Sequence, residues 1–180
     1  IETGPQTDGD TQYIWRLDEG TGSTAFDSSG TGFNANLHNS PSWVEGRFGS
    51  CLDFDGSDDY VRSTNVVSSV PTEFTIQMWI YLDSDPSSNK VLYEGGRGVM
   101  HLYLQSDNKI RFQTYSSTYY YEYAYSTTTL TTGVWYHVAG TYSGSDDELK
   151  VYINGTLEDT ESTNSAYTLY NWNWYDSIGG

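Results

Sequence analysis

Short runs of apolar, β-branched and aromatic residues recur along this chain of 180 residues, with clusters of Gly, Asn, Asp and Ser between them. In the run FTIQMWIYL, the apolar residues Phe74, Ile76, Met78, Ile80 and Leu82 stand at every second position. A period of two puts them on one face of a β-strand, because successive side chains of a strand point to opposite faces. No window holds a helical period longer than about two turns, so the pattern indicates an all-β protein.

Nine runs are predicted to be strands. They are YIWRL (13–17), CLDF (51–54), YVR (60–62), FTIQMWIYL (74–82), KVLYE (90–94), VMHLYLQ (99–105), KIRFQTY (109–115), WYHVAGTY (135–142) and LKVYIN (149–154). Asp107-Asn108 and Asn154-Gly155 are pairs typical of hairpin turns. Because the strands are short and no crossover helix separates them, we expect an antiparallel two-sheet sandwich. Residues 1–11 are polar and aperiodic, which predicts a linker or N-terminal arm before one domain over residues 12–180.

Acidic residues dominate the charge of the chain. It has 24 Asp and Glu against 8 Lys and Arg, for a formal net charge of -16. This balance argues against a nucleic-acid partner, which requires cationic side chains, and against an anionic membrane surface. No apolar run approaches the ~20 residues of a membrane span, so we expect no membrane insertion.

The segment CLDFDGSDDYV carries four aspartates, at positions 53, 55, 58 and 59, between two candidate strands. An EF-hand loop starting at Asp53 would need Gly at its sixth position and Glu at its twelfth, but Gly56 is fourth and Thr64 is twelfth. The favoured interpretation is a hairpin turn with Gly56 at a positive φ, while a metal contact and a catalytic role stay open as lesser alternatives.

Four segments of the chain occur in an order and spacing that resemble a known family. They are WRLDEGTGSTAFDSSGTGFNANLHN (15–39), GRFGSCLDFDGSDDYV (46–61), FTIQMWIYL (74–82) and GVWYHVAGTYSGSDDELKVYINGTLEDT (133–160). They are similar to the laminin-G-like, concanavalin A-like lectin-glucanase jelly-roll domains. The resemblance implies a jelly roll of two curved antiparallel sheets that serves as a non-catalytic module of extracellular or cell-surface proteins. It also implies a glycan or protein ligand and, in many members, a calcium ion that ties loops together.

The chain departs from the family at its C-terminal end. Members of the family continue past the equivalent of residues 177–180 into a last strand, which pairs beside the first strand, and this chain lacks that segment. An unpaired strand edge is a template for pairing with another chain. Either the sequence is a fragment, or the open sheet edge beside Tyr13–Leu17 is filled by another segment. Our hypothesis is a strand supplied in trans or by neighbouring molecules in a crystal or filament.

Oxygen-bearing side chains in the Gly-rich segment DEGTGSTAFDSSGTGFN are candidate calcium ligands. They are Asp18, Glu19, Asp27 and Asn34. Carboxylate and amide oxygens are the donors that calcium prefers. By resemblance, Asp27 and the residues after it match the family's calcium-associated loop. The alternative is that Asp27 and Asn34 make Asx-turns.

The run TYSSTYYYEYAYSTTT is rich in tyrosine. If it is extended, alternate positions share one face, which then holds Tyr115, Tyr119, Tyr121, Tyr123 and Tyr125. A tyrosine ring has an apolar body and a hydrogen-bonding tip, so such a row is suited to stacking on sugar rings or binding a protein partner. The alternative is that the rings serve core and cross-strand packing.

A second aromatic row lies near the C-terminal end, where Tyr170, Trp172 and Trp174 alternate with Asn171 and Asn173. Aromatic faces flanked by amides are typical of a carbohydrate cleft. The alternative is an irregular loop whose tryptophans cover one end of the sandwich.

Enzyme motifs are not found. The paired carboxylates Glu-x-Asp-x-x-Glu of related glucanases and a Gly-x-Ser-x-Gly elbow are both missing from the sequence. We therefore predict a non-catalytic carbohydrate-binding or adhesion module of a larger extracellular or cell-surface protein. A structural subunit of a filament or surface layer, joined through the open sheet edge, is the second hypothesis, and a glycan-active enzyme is the third.

Overall fold

The computed structural model of the protein describes residues 9–64, 71–96, 99–116, 120–163, 169 and 175–179. These residues form fourteen strands: β1 (Thr24–Ala25), β2 (Ala35–His38), β3 (Ser42–Gly46), β4 (Gly49–Asp53), β5 (Tyr60–Ser63), β6 (Glu73–Tyr81), β7 (Lys90–Gly95), β8 (Met100–Leu104), β9 (Ile110–Tyr115), β10 (Tyr121–Tyr125), β11 (Trp135–Ser143), β12 (Glu148–Ile153), β13 (Thr156–Ser162) and β14 (Ser177–Gly179). They pair antiparallel, which confirms the predicted all-β class. Within the same ranges there is no helix that is long and apolar enough to cross a membrane.

The chain divides into two compact units, and the first contains β1–β5 and β14. In this unit β1, β2, β5 and β14 follow one another in one sheet, while β3 and β4 form a separate hairpin. Four buried side chains form its core, and larger apolar side chains such as Trp15, Trp43 and Phe54 pack around them. The four are Ala25, Ala35, Leu52 and Val61.

The second unit contains β6–β13 in two sheets. One has the order β7-β8-β9-β10, and the other has the order β13-β12-β11-β6. Phe112 of β9 is fully buried and lies edge-on to Phe74 of β6, with ring centroids 6.0 Å apart. A Cβ atom added to Gly140 of β11 would lie 2.4 Å from the Phe112 ring. Residue 140 is therefore glycine because the ring takes the space of a side chain.

The alternation predicted for FTIQMWIYL is confirmed in β6. Phe74, Ile76 and Met78 are half-buried, whereas Thr75 and Gln77 are exposed. Both predicted hairpin turns are confirmed as well, since the 107–108 turn joins β8 to β9 and the 154–155 turn joins β12 to β13.

Two local predictions are wrong. YIWRL is not a strand, because only Trp15 makes a β-bridge, to Asp27. Leu17 has a φ of 55°, which ends the extended conformation, and the Ile14 N–H donates to the Asp27 side chain at 3.0 Å instead of to a strand backbone. The segment after β4 is a turn, but not a hairpin turn, since β4 pairs with β3 and β5 pairs with β2 and β14. The strand supplied in trans beside Tyr13–Leu17 stays a prediction.

Candidate functional site

One face of the sheet β7–β10 is lined with aromatic and polar side chains. The register sets Tyr115 opposite Tyr121, Gln113 opposite Tyr123, and Arg111 opposite both Tyr125 and Tyr103. Cross-strand partners share a face of an antiparallel sheet, so these side chains lie together. We call this surface the tyrosine face, and its members are Glu94, His101, Tyr103, Arg111, Gln113, Tyr115, Tyr121, Tyr123 and Tyr125.

The opposite face of the same strands forms the core. Leu102, Phe112 and Ala124 have no exposed surface, and they alternate with members of the tyrosine face along β8, β9 and β10. Burial of one face fixes the register, because a slip of one residue would move every buried side chain to the other side. The positions of the tyrosines therefore follow from the packing of the core.

The tyrosine rings form a continuous row that begins with Tyr115 on β9 and continues along β10. The centroids of Tyr115 and Tyr121 are 4.5 Å apart, those of Tyr121 and Tyr123 are 6.0 Å apart, and those of Tyr123 and Tyr125 are 6.1 Å apart. The last two pairs have interplanar angles of 23° and 30°. Tyr121 is 46% exposed and Tyr125 is 40% exposed. The row is a line of neighbouring rings, of which Tyr121 and Tyr125 are open to an external molecule.

Arg111 and His101 form the polar part of the face. The Arg111 guanidinium lies 4.4 Å from the centroid of the Tyr103 ring and 5.6 Å from that of Tyr123. His101 stacks on Tyr103 at 4.9 Å and its Nδ1 lies 3.3 Å from the Gln113 amide nitrogen. Burial, reinforced by the Arg111 charge, lowers the pKa of His101 to about 4. His101 is therefore neutral at neutral pH, and Arg111 carries the positive charge of this part of the face.

Two carboxylates of β13 hold the end of β10. Asp159 accepts a hydrogen bond from the Tyr125 N–H at 2.9 Å. Glu158 accepts hydrogen bonds from the N–H groups of Thr127 and Thr128 at 3.0 and 2.9 Å, and also from both of their hydroxyls. The bonds from the Thr127 hydroxyl and the other donors lower the pKa of Glu158. These contacts fix the backbone at the exposed end of the tyrosine row.

The predicted aromatic residues fall into two groups. Tyr115, Tyr121 and Tyr123 share one face with Tyr125, as the alternation predicts. Four others lie outside the described residues, and their role in binding stays a prediction: Tyr119, Tyr170, Trp172 and Trp174.

Sequence reasoning missed Tyr103, Arg111, His101 and Gln113. A signal for them was available, because the 107–108 hairpin turn fixes the register of the two strands that it joins. Counting outward from that turn sets Tyr103 opposite Arg111 and His101 opposite Gln113.

The Asp27 carboxylate is surrounded by hydrogen-bond donors from its own loop and from Ile14. Its Oδ1 accepts from the N–H groups of Ile14 and Ser29 at 3.0 and 2.9 Å. Its Oδ2 accepts from the hydroxyls of Ser29 and Thr31 and from the N–H groups of Gly32 and Phe33, at 2.8 to 3.2 Å. Burial raises the pKa of Asp27, but these hydrogen bonds outweigh burial and hold it well below its ordinary value.

The other predicted calcium ligands are only partly gathered around Asp27. The Asn34 side-chain oxygen accepts a hydrogen bond from the Asp27 N–H at 2.9 Å, and Glu19 accepts one from the Phe26 N–H at 2.7 Å. Asp18 is exposed. This arrangement agrees with the alternative of side chain to backbone turns at Asp27 and Asn34. Calcium binding by Asp18, Glu19, Asp27 and Asn34 stays a prediction.

A separate group of carboxylates lies in the turn after β4. Asp55, Asp58 and Asp59 each offer an oxygen, and these oxygens lie within 4.8 Å of one another. Asp55 accepts hydrogen bonds from the N–H groups of Ser57 and Asp58 at 2.8 and 3.3 Å, and Asp59 accepts one from the Asp55 N–H at 3.0 Å. The residues form the predicted turn, and three carboxylates at this spacing could hold a metal ion.

Comparison with protein families gives one match. The profile of the concanavalin A-like lectin/glucanases superfamily matches residues 55–180, which is well over half of the chain. No curated protein matches the chain at a significant level.

Solved structures share the fold at low sequence identity. Domain 4 of AbnA, an extracellular arabinanase from Geobacillus stearothermophilus solved with arabinotriose, is 18% identical with a TM-score of 0.65, and the match covers 84% of this chain and 76% of that chain. The botulinum neurotoxin serotype D binding domain is 16% identical with a TM-score of 0.64, over 85% of this chain and 39% of that chain. The binding domain of Paraclostridial Mosquitocidal Protein 1 is 16% identical with a TM-score of 0.65, and the match covers 86% of this chain and 45% of that chain. This chain thus spans less than half of either toxin chain.

Proposed function

The chain belongs to the concanavalin A-like lectin/glucanases superfamily, and from this premise we propose that it is a non-catalytic module that binds a glycan on its tyrosine face. The observation that carries the proposal is the row of Tyr115, Tyr121, Tyr123 and Tyr125 rings on one side of β9 and β10. Domain 4 of AbnA, which was solved with arabinotriose, has the same fold and supports a saccharide as the ligand class.

The chemistry of the face matches that of a sugar chain. The apolar side of a sugar ring packs on an aromatic ring, while its hydroxyl groups require hydrogen-bond partners at the edges. The phenol groups of Tyr121 and Tyr125 and the guanidinium of Arg111 provide such partners beside the rings. Since three of its four rings follow β10, the ligand that fits the row is an extended chain of several sugar units rather than a single sugar.

Binding without hydrolysis agrees with the charges of the tyrosine face. A glycosidase requires two carboxyl groups on opposite sides of the scissile bond. Glu94 is the single carboxylate among the described strand residues of this face, because Glu122 belongs to the opposite side of β10. A location outside the cell, as part of a larger surface or secreted protein, belongs to the same proposal and is supported by the family.

The edge of the second sheet favours one other candidate function. In the described part of the chain, β6 is nine residues long and pairs with β11 on one side only. A long edge strand can accept a strand from another chain. A structural subunit of a filament or surface layer is therefore the second candidate, and fibres that form with rising protein concentration, without sugar binding, would support it.

A glycan array tests the leading proposal. We expect the protein to bind a defined set of oligosaccharides and Tyr121→Ala to lose that binding. Tyr81→Ala is the matched control, because Tyr81 is 43% exposed against 46% for Tyr121 but lies on β6 in the other sheet. Binding that survives Tyr121→Ala, or that Tyr81→Ala removes equally, would contradict the assignment of the tyrosine face.

A further inference from the structure

We propose that the glycan bound by the tyrosine face carries a carboxylate, and that Arg111 is the residue that selects for it. This inference rests on the proposed function and names the chemical class of its ligand. It starts from the position of the Arg111 side chain, which is half-buried and lies in the middle strand of the face, between Tyr103 on β8 and Tyr123 on β10.

The Arg111 guanidinium lies against two tyrosine rings. Its central carbon is 4.4 Å from the centroid of one ring and 5.6 Å from that of the other. These cation–π contacts, together with the side-chain hydrogen bond to Tyr103, hold the group on the face. Among the residues that the structure describes, no acceptor bonds the buried Nε atom of Arg111. Because this atom is buried, an external partner would meet the terminal N–H groups of the guanidinium instead.

The surroundings of Arg111 differ from those of Lys150. Lys150 lies 2.5 Å from Glu148, an acid of its own strand. Arg111 pairs with no carboxylate within 4.0 Å in the described ranges. Its contacts there are to the rings of Tyr103 and Tyr123, together with a side-chain hydrogen bond to Tyr103. Arg111 therefore has no ion-pair partner among the described residues, although Glu94 belongs to the same face.

A carboxylate is the group that best fits the terminal N–H groups of a guanidinium. The planar fork of N–H donors binds both oxygens of a carboxylate, whereas a hydroxyl group accepts from one donor only. His101 is neutral at neutral pH and adds no competing charge. The overall charge of -16 does not prevent this contact, because charges more than about 8 Å away are largely screened at physiological salt. Sugars with a carboxylate, such as uronic and sialic acids, are the chemical class that combines this group with a ring for Tyr121 and Tyr123.

The test compares acidic oligosaccharides with their methyl esters. We would measure binding of uronate-bearing and sialate-bearing oligosaccharides, and of the same compounds with the carboxyl groups methyl-esterified, to the wild-type protein and to Arg111→Met. We expect the wild-type protein to prefer the free acids by about 10- to 100-fold, the range of a charge-assisted hydrogen-bonded contact. Arg111→Met is expected to lose the preference while it still binds the esters through the tyrosine rings.

Two further variants control for charge and for fork geometry. Lys150→Met removes the same charge from β12, in the other sheet, and is expected to keep the full preference. Arg111→Lys keeps the positive charge but lacks the planar fork of N–H donors, and it is expected to keep only part of the preference for the free acids. Equal binding of acids and esters by the wild-type protein, or an unchanged preference in Arg111→Met, overturns the inference but leaves glycan binding in place. Binding of neither set contradicts the proposed function itself.

Discussion

Replacement of Asp27 by alanine tests how the loop between β1 and β2 is held. The carboxylate accepts six hydrogen bonds from Ile14, Ser29, Thr31, Gly32 and Phe33. The N–H groups of Ile14, Ser29 and Phe33 are partly buried, so they do not all regain a water molecule when the carboxylate is removed. Each of these three partly buried hydrogen bonds contributes ~0.5–1.5 kcal/mol net, and the exposed donors contribute little. We therefore expect the free energy of unfolding to fall by about 2–4 kcal/mol in total.

The assay is urea unfolding, followed by circular dichroism, with EDTA and again with excess calcium. Asp18→Ala is the matched control, since Asp18 is an exposed carboxylate in the same segment, and we expect a change within about 0.5 kcal/mol. Equal losses for Asp27→Ala in both buffers would support the hydrogen-bond account. A loss that is seen only with calcium would refute it and would make Asp27 a metal ligand.

The loss of stability in Asp27→Ala is expected to depend on pH. The pKa of Asp27 in the folded protein lies well below its ordinary value. The stabilisation by Asp27 is therefore complete above the ordinary aspartate pKa near 4, and it declines as the pH falls toward the lowered folded value. We expect the difference in stability between the wild-type protein and Asp27→Ala to shrink in acid, and a difference that grows in acid would contradict the account.

Three other predictions concern stability. Gly140→Ala should lower the free energy of unfolding by about 1–3 kcal/mol, because the new Cβ meets the Phe112 ring, and Phe112→Leu in the same chain should restore part of the loss in urea unfolding. Glu158→Gln should lower the free energy of unfolding by about 1 kcal/mol at neutral pH. Because the pKa of Glu158 is lowered in the folded protein, this loss should shrink as the pH falls below the ordinary glutamate pKa. An equal loss at all pH values would contradict this prediction. Since the pKa of His101 falls from 6.5 to about 4 on folding, its contribution destabilises the fold as the pH falls between those values, and His101→Gln should flatten the thermal stability profile there.

The sequence predicts most of the strands because their pattern is local. Alternation along the run after Tyr115 puts Tyr121, Tyr123 and Tyr125 on one side whatever the partner strand, and the structure agrees. Hairpin turns are also local, so the register between β8 and β9 follows from the 107–108 pair. Where the side chain pattern and the turn chemistry agree, the geometry of the tyrosine face is accessible from the sequence alone.

The features that were missed depend on contacts between distant residues. YIWRL has the composition of a strand, but the carboxylate of Asp27 takes the Ile14 N–H, and Leu17 has a positive φ. The acidic turn after β4 connects strands of two different sheets, which no local pattern reveals. Among the described residues Arg111 has no ion-pair partner, and this is likewise a property of the folded chain, because acids are abundant in its sequence.

The measurement that most directly tests the account is NMR mapping of the bound glycan. The protein would be labelled in its tyrosine rings and titrated with the oligosaccharide that binds most strongly on the array, with Tyr121→Ala and Tyr123→Ala used to assign the signals. We expect the largest changes in chemical shift at Tyr121, Tyr123 and Tyr125, and small changes at Tyr81 on β6. Changes centred on Tyr81 or on residues of the first unit, with the tyrosine face unaffected, would contradict the central claim.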